Sequence, residues 1–180
     1  MTRAILLAAL LALAACGATR PGPGTPATVE RVDLPRYLGL WPEVARLPQR
    51  FQDSATLRCE EVTAEYTALP DDRIRVVNAC VNALDPARAR RVAEGTAYVV
   101  EGSQGSRLRV TFFWPFHGDY WVLGLDPEYR WALVGSPSRQ SLWLLSRTPR
   151  MEEAEVQRAL GIARREGVDL APLIRAPPRG

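Results

Sequence analysis

The stretch Leu34-Pro35-Arg36-Tyr37-Leu38-Gly39-Leu40-Trp41 introduces the first of eight short apolar or alternating segments in the middle of the chain. Segments of this length, separated by turns such as Leu69-Pro70-Asp71-Asp72, predict β-strands joined as an antiparallel meander. The predicted strands cover residues 40–47, 61–69, 74–81, 93–101, 108–114, 120–125, 131–135 and 142–147. Closure of such a sheet removes its exposed edges, so we predict an all-β, eight-stranded up-and-down barrel with room for one small ligand.

One later segment has the period of a helix instead. Thr148 and Pro149 suit an N-cap and a first helical position, and Gly167 suits a C-terminal stop. The apolar face of this segment consists of Val156, Ala159, Leu160 and Ala163. Because only one face is apolar, we expect an α-helix that lies on the outer wall of the barrel.

Charge and composition exclude several classes of protein. The 180 residues carry 23 basic residues, all of them arginine, against 20 acidic residues, for a net charge of +3. These charges alternate along the chain, whereas a nucleic-acid partner requires a concentrated basic face, so none is expected. The single histidine, His117, and the absence of phosphate-binding or dinucleotide-binding motifs predict no catalytic residues, no metal site and no cofactor.

The N-terminus predicts a processed and lipidated leader. Residues 1–15 carry one base, Arg3, and then an apolar run shorter than the ~20 residues of a membrane span, which is typical of a signal peptide. Leu13-Ala14-Ala15-Cys16 resembles the bacterial lipobox, which implies cleavage before Cys16, lipidation of its sulfur and, because Gly17 is not Asp, sorting to the outer membrane. The alternative is plain secretion. The Pro- and Gly-rich residues 16–32 predict a tether, and residues 33–180 the folded domain.

The order of several motifs resembles that of the lipocalins, and in particular of the bacterial outer-membrane lipocalin lipoproteins. Gly39-Leu40-Trp41 resembles the first lipocalin signature, and similar blocks follow in family order from about residue 33 to 175. These blocks are Val62-Thr63-Ala64-Glu65-Tyr66, Phe113-Trp114-Pro115-Phe116, Gly118-Asp119-Tyr120-Trp121, Leu125-Asp126-Pro127-Glu128-Tyr129 and Leu145-Ser146-Arg147-Thr148-Pro149. The resemblance therefore covers nearly the whole mature chain.

The resemblance implies a structural cluster at the closed end of the barrel, formed by the signature residues Gly39, Trp41, Asp126 and Arg147. Trp41 is expected to plug the barrel, with Arg147 over its indole in a cation–π contact. Pro42 departs from the family pattern, which has an aromatic residue there. Because proline lacks an amide hydrogen, the first strand is expected to be unpaired at that nitrogen or bulged.

Alternation along the strands assigns one set of side chains to the interior, once the second strand is oriented as the resemblance implies. The predicted ligand-binding residues are Ala45, Val62, Ala64, Tyr66, Ile74, Val76, Ala97, Val99, Leu108, Val110, Phe112, Tyr120, Val122, Leu133, Trp143 and Leu145. This lining is mostly apolar, which suits an acyl chain, and we expect a fatty acid or lysophospholipid as partner. The alternative is an interior filled by its own side chains.

The loops around the expected mouth carry two further groups. Trp114-Pro115-Phe116-His117 is an aromatic tip that either contacts lipid headgroups or packs as a rigid hairpin. Arg88, Arg90 and Arg91 either meet a phosphate or carboxylate at the rim or are simply solvated. Glu43 has inward parity, and a structural hydrogen-bonding role is expected for it before a ligand-orienting one.

The remaining cysteines, Cys59 and Cys80, form an even pair in an oxidising compartment, which predicts a disulfide at the mouth. Their parities differ, so the pairing requires a bulge or a departure of the cysteines from the ladder. We therefore predict an anchored, non-enzymatic lipid-binding protein that stores or transports envelope lipids at the periplasmic side of the outer membrane. A lipocalin-type enzyme with a free pocket thiol and an envelope scaffold remain the alternatives, and the oligomeric state, a homodimer included, is open.

Overall fold

Eight antiparallel strands form a closed barrel in the computed structural model, which describes residues 24–177. The strands are β1 (Gly39–Arg46), β2 (Cys59–Ala68), β3 (Arg73–Asn82), β4 (Arg90–Val99), β5 (Arg107–Phe113), β6 (Phe116–Leu125), β7 (Trp131–Gly135) and β8 (Leu142–Ser146). Each strand pairs with the next, and β1 pairs with both β8 and β2, which closes the barrel. The predicted fold class is confirmed, and each predicted segment corresponds to one strand.

The helix lies where the apolar period predicted it, on the outer wall. Helix α2 spans Glu153–Arg165 and buries its predicted apolar face in a cluster with Trp121, Trp131 and Leu144. The N-cap is Glu152 rather than Thr148, so the predicted start was four residues too early. Gly167 follows the helix with φ of +78°, a conformation that glycine adopts without steric cost, as expected of the stop.

The N-terminal segment covers one side and the closed end of the barrel. Residues 24–32 lie against the wall, with Pro26 and Val32 buried and the Val29 amide donating to the Val122 carbonyl at 2.9 Å. The packed part of the chain thus begins before the predicted boundary at residue 33. The short helix α1 (Leu34–Tyr37) then leads into β1. The predicted signal peptide, Cys16 and the first part of the tether lie outside the described residues.

Two bulges change the predicted orientation of side chains. In β1, the register with β8 shifts between Glu43 and Ala45, so Glu43 faces the interior and Ala45 faces the cluster under α2. In β6, the register with β7 shifts between Val122 and Gly124. Leu133 of β7 pairs with Gly124, after the shift, and so faces the cluster under α2. The assignment of Ala45 and Leu133 to the interior was therefore wrong, because each bulge inserts one residue and inverts the alternation that follows.

A two-residue strand completes the wall. Strand β9 (Ile174–Arg175) pairs with Ala45 and Arg46 of β1, and the Ala176 amide donates to the Val44 carbonyl at 2.8 Å. The mouth half of β1 is thus bonded to β8 and β9, while only Gly39 to Pro42 pair with β2. No helix within residues 24–177 is long and apolar enough to cross a membrane.

Candidate functional site

The barrel encloses a cavity of about 1100 Å³ that opens between the loops at one end. The loops after β1 and β7 and the adjoining ends of β5 and β6 contribute to its rim, and the strands β1 to β6 and β8 supply its wall. Predicted residues that line this cavity are Val62, Ala64, Tyr66, Val76, Val110, Phe112, Tyr120, Trp143 and Leu145. Most of this lining is apolar, so the space suits a hydrophobic ligand.

Other predicted residues lie in the barrel interior but not on the cavity surface. Ile74, Ala97, Val99, Leu108 and Val122 pack with Trp41 in the core cluster towards the closed end. They reduce the depth of the cavity and support its floor. Ala45 and Leu133 lie outside the barrel, as described above.

The closed end is sealed by the signature residues. Trp41 is fully buried, its Nε1 donates to the Tyr37 carbonyl at 2.7 Å, and the Arg147 guanidinium lies over its ring. Arg147 also donates to the carbonyls of Arg36 at 2.6 Å and Leu40 at 3.1 Å. In the β6–β7 turn at the same end, Asp126 accepts two hydrogen bonds from the Arg130 guanidinium at 2.8 and 2.9 Å. These contacts hold the plug in place.

Three tyrosine hydroxyls meet above the plug. The Tyr120 hydroxyl lies 2.7 Å from that of Tyr37 and 2.9 Å from that of Tyr66. Tyr66 and Tyr120 line the cavity, whereas Tyr37 lies behind them against Trp41, with ring centres 4.9 Å apart. Burial raises the pKa of Tyr66 to about 12 and raises the pKa of Tyr37 and of Tyr120 well above the ordinary value. All three hydroxyls are therefore protonated at neutral pH.

A buried polar network forms one side of the cavity near the mouth. Glu43 accepts hydrogen bonds from Arg46 at 2.6 Å and from the Gln52 amide at 3.0 Å, and Gln52 accepts one from the Trp143 indole at 2.9 Å. Burial raises the pKa of the Glu43 carboxyl, and the bonds from Arg46 and Gln52 offset this only in part. Arg46 also donates to Asp53 and to the Cys59 carbonyl. Glu43 thus has the structural hydrogen-bonding role that its parity suggested.

Aromatic side chains surround the mouth. Phe113, Trp114 and Phe116, in the β5–β6 hairpin, are 78%, 84% and 76% exposed, and Phe51 from the β1–β2 loop is 64% exposed. His117, beside them, is hydrogen-bonded through Nδ1 to the Tyr98 hydroxyl at 2.8 Å. The rings of Phe113, Trp114 and Phe116 are therefore exposed to solvent, and the hairpin does not pack them against neighbouring residues.

Two arginines reach the cavity rim. Arg91, one of the three predicted rim arginines, lines the cavity, and so does Arg50 from the β1–β2 loop, which the sequence did not single out. Arg88 instead pairs with Glu60 at 3.5 Å and Glu61 at 3.1 Å. The rim therefore carries positive charge on two sides of an apolar cavity.

Cys59 and Cys80 form a disulfide, with their Cα atoms 5.3 Å apart. The register between β2 and β3 shifts between Glu60 and Thr63, which brings the two side chains to the same face despite their different parities. Both cysteines line the cavity near the mouth. The predicted disulfide is confirmed, and of the two routes considered for it the chain uses the bulge.

Sequence reasoning missed Tyr37 and Gln52 as partners of the site. Tyr37 precedes β1, where alternation gives no information, and Gln52 lies in a loop. The only available signal for Tyr37 was its place next to the Gly39-Leu40-Trp41 motif. For Gln52 no sequence signal existed, because its role depends on the fold of the β1–β2 loop.

The fold and the cavity together define a cup-shaped antiparallel barrel, closed at one end and apolar inside. The family model of the lipocalin-like domain matches residues 32–178. The chain is 40% identical over 161 residues to the outer membrane lipoprotein Blc of Escherichia coli K12, covering 89% of this chain and 86% of that protein. It is 41% identical to the Blc lipoprotein of Citrobacter freundii, with coverage of 95% and 92%. It is 38% identical to temperature-induced lipocalin-1 of Arabidopsis thaliana, with coverage of 83% and 81%.

Solved structures agree with this at the level of fold. Insecticyanin from the tobacco hornworm Manduca sexta superposes with a TM-score of 0.67 at 19% identity, covering 86% of this chain and 85% of that one. The chain therefore belongs to the lipocalin family. Within that family it is a bacterial outer-membrane lipocalin, given its similarity along most of its length to lipoproteins of that membrane.

Proposed function

We propose that this protein binds a fatty acid or lysophospholipid in its barrel and stores or transports envelope lipids at the periplasmic face of the outer membrane. The observation that carries the proposal is the open cavity of about 1100 Å³ with a mostly apolar wall. Cavities that hold small organic ligands usually measure roughly 300–1000 Å³, so this one has room for an acyl chain.

The wall supplies the driving force for binding. Val62, Ala64, Val76, Val110 and Phe112 present hydrocarbon to the cavity from strands β2, β3 and β5. Transfer of an acyl chain from water to such a surface contributes about 0.8 kcal/mol for each buried methylene. The tail of the ligand therefore occupies the barrel.

The rim supplies a partner for the polar end. Arg50 and Arg91 line the cavity at its rim, where their guanidinium groups can reach a carboxylate or a phosphate. An ionised headgroup at this position stays in contact with water, which avoids the cost of burying its charge. The ligand thus binds with its tail inside the barrel and its headgroup at the mouth.

The point at which the N-terminal segment reaches the barrel supports an orientation with the mouth towards the bilayer. Arg139, in the β7–β8 loop at the mouth, donates to the Gly24 carbonyl. Gly24 lies eight positions after Cys16, a span of at most about 29 Å in a fully extended chain. A lipid on Cys16 would hold the mouth, with its exposed Trp114 and Phe116, close to the membrane surface.

The alternatives have less support. An enzyme of this family that uses a pocket thiol would need a free cysteine, and Cys59 and Cys80 share a disulfide. A scaffold role does not account for the open apolar cavity. We therefore propose binding without catalysis as the function.

Mass spectrometry of lipids that co-purify with the protein, expressed without its anchor and purified without detergent, tests this proposal. We expect one acyl ligand for each protein molecule. A Val76→Trp variant, which places an indole in the cavity, serves as the control that should lose the ligand. A wild-type protein that carries no lipid and does not bind added fatty acid would contradict the proposal.

A further inference from the structure

The three tyrosine hydroxyls at the cavity floor have one more donor proton than the hydrogen bonds among them require. Tyr37, Tyr120 and Tyr66 supply three hydroxyl protons but make only two hydroxyl–hydroxyl contacts, at 2.7 and 2.9 Å. Within residues 24–177, no other side chain or carbonyl accepts a hydrogen bond from these hydroxyls. One hydroxyl therefore remains a donor without an acceptor, whichever way the chain of hydrogen bonds runs.

The unused donor can be directed into the cavity. Tyr66 and Tyr120 line the cavity, while Tyr37 is fixed behind them between Trp41 and the other two rings. The central hydroxyl of Tyr120 can accept from both neighbours and donate its own proton to the lumen, or the proton can lie on Tyr66. In these two arrangements a hydroxyl hydrogen meets whatever occupies the floor. The third arrangement leaves the unused proton on Tyr37, which is buried behind the other two rings, where an unsatisfied donor costs free energy.

A purely hydrocarbon tail is a poor match for that floor. A methyl end placed against the hydroxyls displaces water and leaves the donor unsatisfied, which costs free energy in a buried site. An oxygen at the same place accepts the hydrogen bond. The floor therefore discriminates between ligands by the chemistry of their inserted end.

The geometry points further to an uncharged oxygen. The arginines that line the cavity, Arg50 and Arg91, lie at its rim, and Arg147 at the closed end lies over Trp41 and is bonded to the Arg36 and Leu40 carbonyls instead of lining the cavity. A carboxylate at this depth would be desolvated without a cationic partner. The charged end of a ligand has its partners at the rim instead, in Arg50 and Arg91.

We propose that Tyr66 and Tyr120 form a deep polar subsite that selects acyl chains with a hydroxyl or keto oxygen at or near the inserted end. This inference rests on the proposed function, since it assumes that an acyl chain enters the barrel tail first. It makes these two tyrosines specificity-determining residues rather than core residues alone. The ligand class is then oxygenated acyl chains, with their ionised end at the mouth.

Competition binding tests the subsite with the full-length protein in phosphatidylcholine nanodiscs. Palmitic acid and 16-hydroxypalmitic acid each compete with a fluorescent fatty acid, in the wild type and in a Tyr66→Phe/Tyr120→Phe variant. We expect the variant to bind 16-hydroxypalmitic acid at least tenfold more weakly and palmitic acid equally well or more tightly. Partitioning of the acids into the nanodisc lipid is the same for both proteins and cancels in the comparison.

A Tyr98→Phe variant is the matched control, because Tyr98 contacts His117 at the exposed side of the hairpin. It should change the affinity for neither acid. If the double variant shifts both acids by the same factor, or neither acid, the subsite is refuted while lipid binding stands. If palmitic acid does not compete in the wild type at all, the proposed function fails as well.

A second measurement needs no variant and decides the matter if the double variant does not fold. Acids with a terminal hydroxyl and 10 to 18 carbons are compared in the wild type with unsubstituted acids of the same lengths. A subsite at fixed depth predicts one optimal length for the hydroxy acids, at least fivefold tighter than neighbours two carbons away. A steady increase of affinity with length in both series would overturn the inference.

Discussion

The guanidinium carbon of Arg147 lies 3.8 Å from the centre of the Trp41 ring, and the same guanidinium donates to two carbonyls of the preceding segment. One side chain thus joins the end of β8 to the plug and to helix α1. Because Trp41 is fully buried, loss of this contact would loosen the closed end rather than a surface feature.

We expect Arg147→Ala to lower the free energy of unfolding by about 2 kcal/mol, because a cation–π contact and two hydrogen bonds are lost. Urea denaturation followed by tryptophan fluorescence measures the change. Arg73→Ala, at an exposed arginine 3.6 Å from Asp71, is the control and should have little effect. Equal stability of the two variants would show that Arg147 does not hold the plug.

We expect Asp126 to make stability depend on acid pH. Hydrogen bonds from the Arg130 side chain are the main cause that lowers the pKa of Asp126, so its ionised form stabilises the fold above the pKa it has when unfolded. This contribution is lost as the pH falls through the lowered pKa of the folded state. Asp126→Asn should therefore be less stable than the wild type at neutral pH and lose less stability between about pH 5 and pH 2.

Urea denaturation across that pH range provides the measurement. Glu101→Gln, at an exposed carboxylate, should follow the wild-type curve. A curve for Asp126→Asn that runs parallel to the wild type would exclude this role of the carboxylate.

We expect the same substitution at two adjacent valines of β3 to reduce ligand affinity at one position and to leave it unchanged at the other. Val76 lines the cavity, whereas Val77 has the opposite parity and faces outward. Val76→Trp should reduce the affinity for a fluorescent fatty acid at least tenfold, since the indole occupies the space of the ligand, while Val77→Trp should leave it unchanged. Fluorescence titration gives the affinities, and loss of binding in both variants would argue against an internal site.

We expect the disulfide to contribute about 3 kcal/mol to stability, as its 21-residue separation restricts the unfolded chain. The variant Cys59→Ala/Cys80→Ala should show this loss in urea denaturation, and chemical reduction of the wild type should produce a similar one. Maleimide labelling of the native protein should find no reactive thiol at these two positions. Labelling of either residue would reopen the enzyme alternative.

We expect the exposed rings of the mouth to contact lipid. Trp114→Ser/Phe116→Ser, made in a form that lacks residues 1–16, should bind phosphatidylglycerol vesicles more weakly than the unsubstituted form. Leu40→Ser is the control, because Leu40 is 51% exposed but lies at the closed end. Co-sedimentation gives the bound fraction, and an equal loss in both variants would contradict an orientation with the mouth towards the bilayer.

The fold was largely predictable because strand length, turn residues and the Gly39-Leu40-Trp41 resemblance all indicate the same barrel. The site was predictable only where alternation is uninterrupted. Ala45 and Leu133 were assigned to the wrong face because bulges leave no mark in a pattern of apolar residues. The bulge in β2 was an exception, since the different parities of the two cysteines indicated either a bulge or a departure from the ladder there. The start of α2 was placed too early because the Thr148 hydroxyl donates to the Arg150 carbonyl instead of capping the helix, whose N-cap is Glu152.

The position of strand β9 near the C-terminus limits how that end of the protein can be truncated or fused. Its bonds to β1 mean that the last residues of the described chain belong to the wall, and the Arg175–Glu153 ion pair at 2.7 Å ties them to α2 as well. Truncation before Ile174 would uncover an unpaired backbone edge beside the mouth, which favours aggregation. Purification tags and reporter fusions at the C-terminus therefore require a flexible spacer after residue 177, so that β9 can still pair with β1.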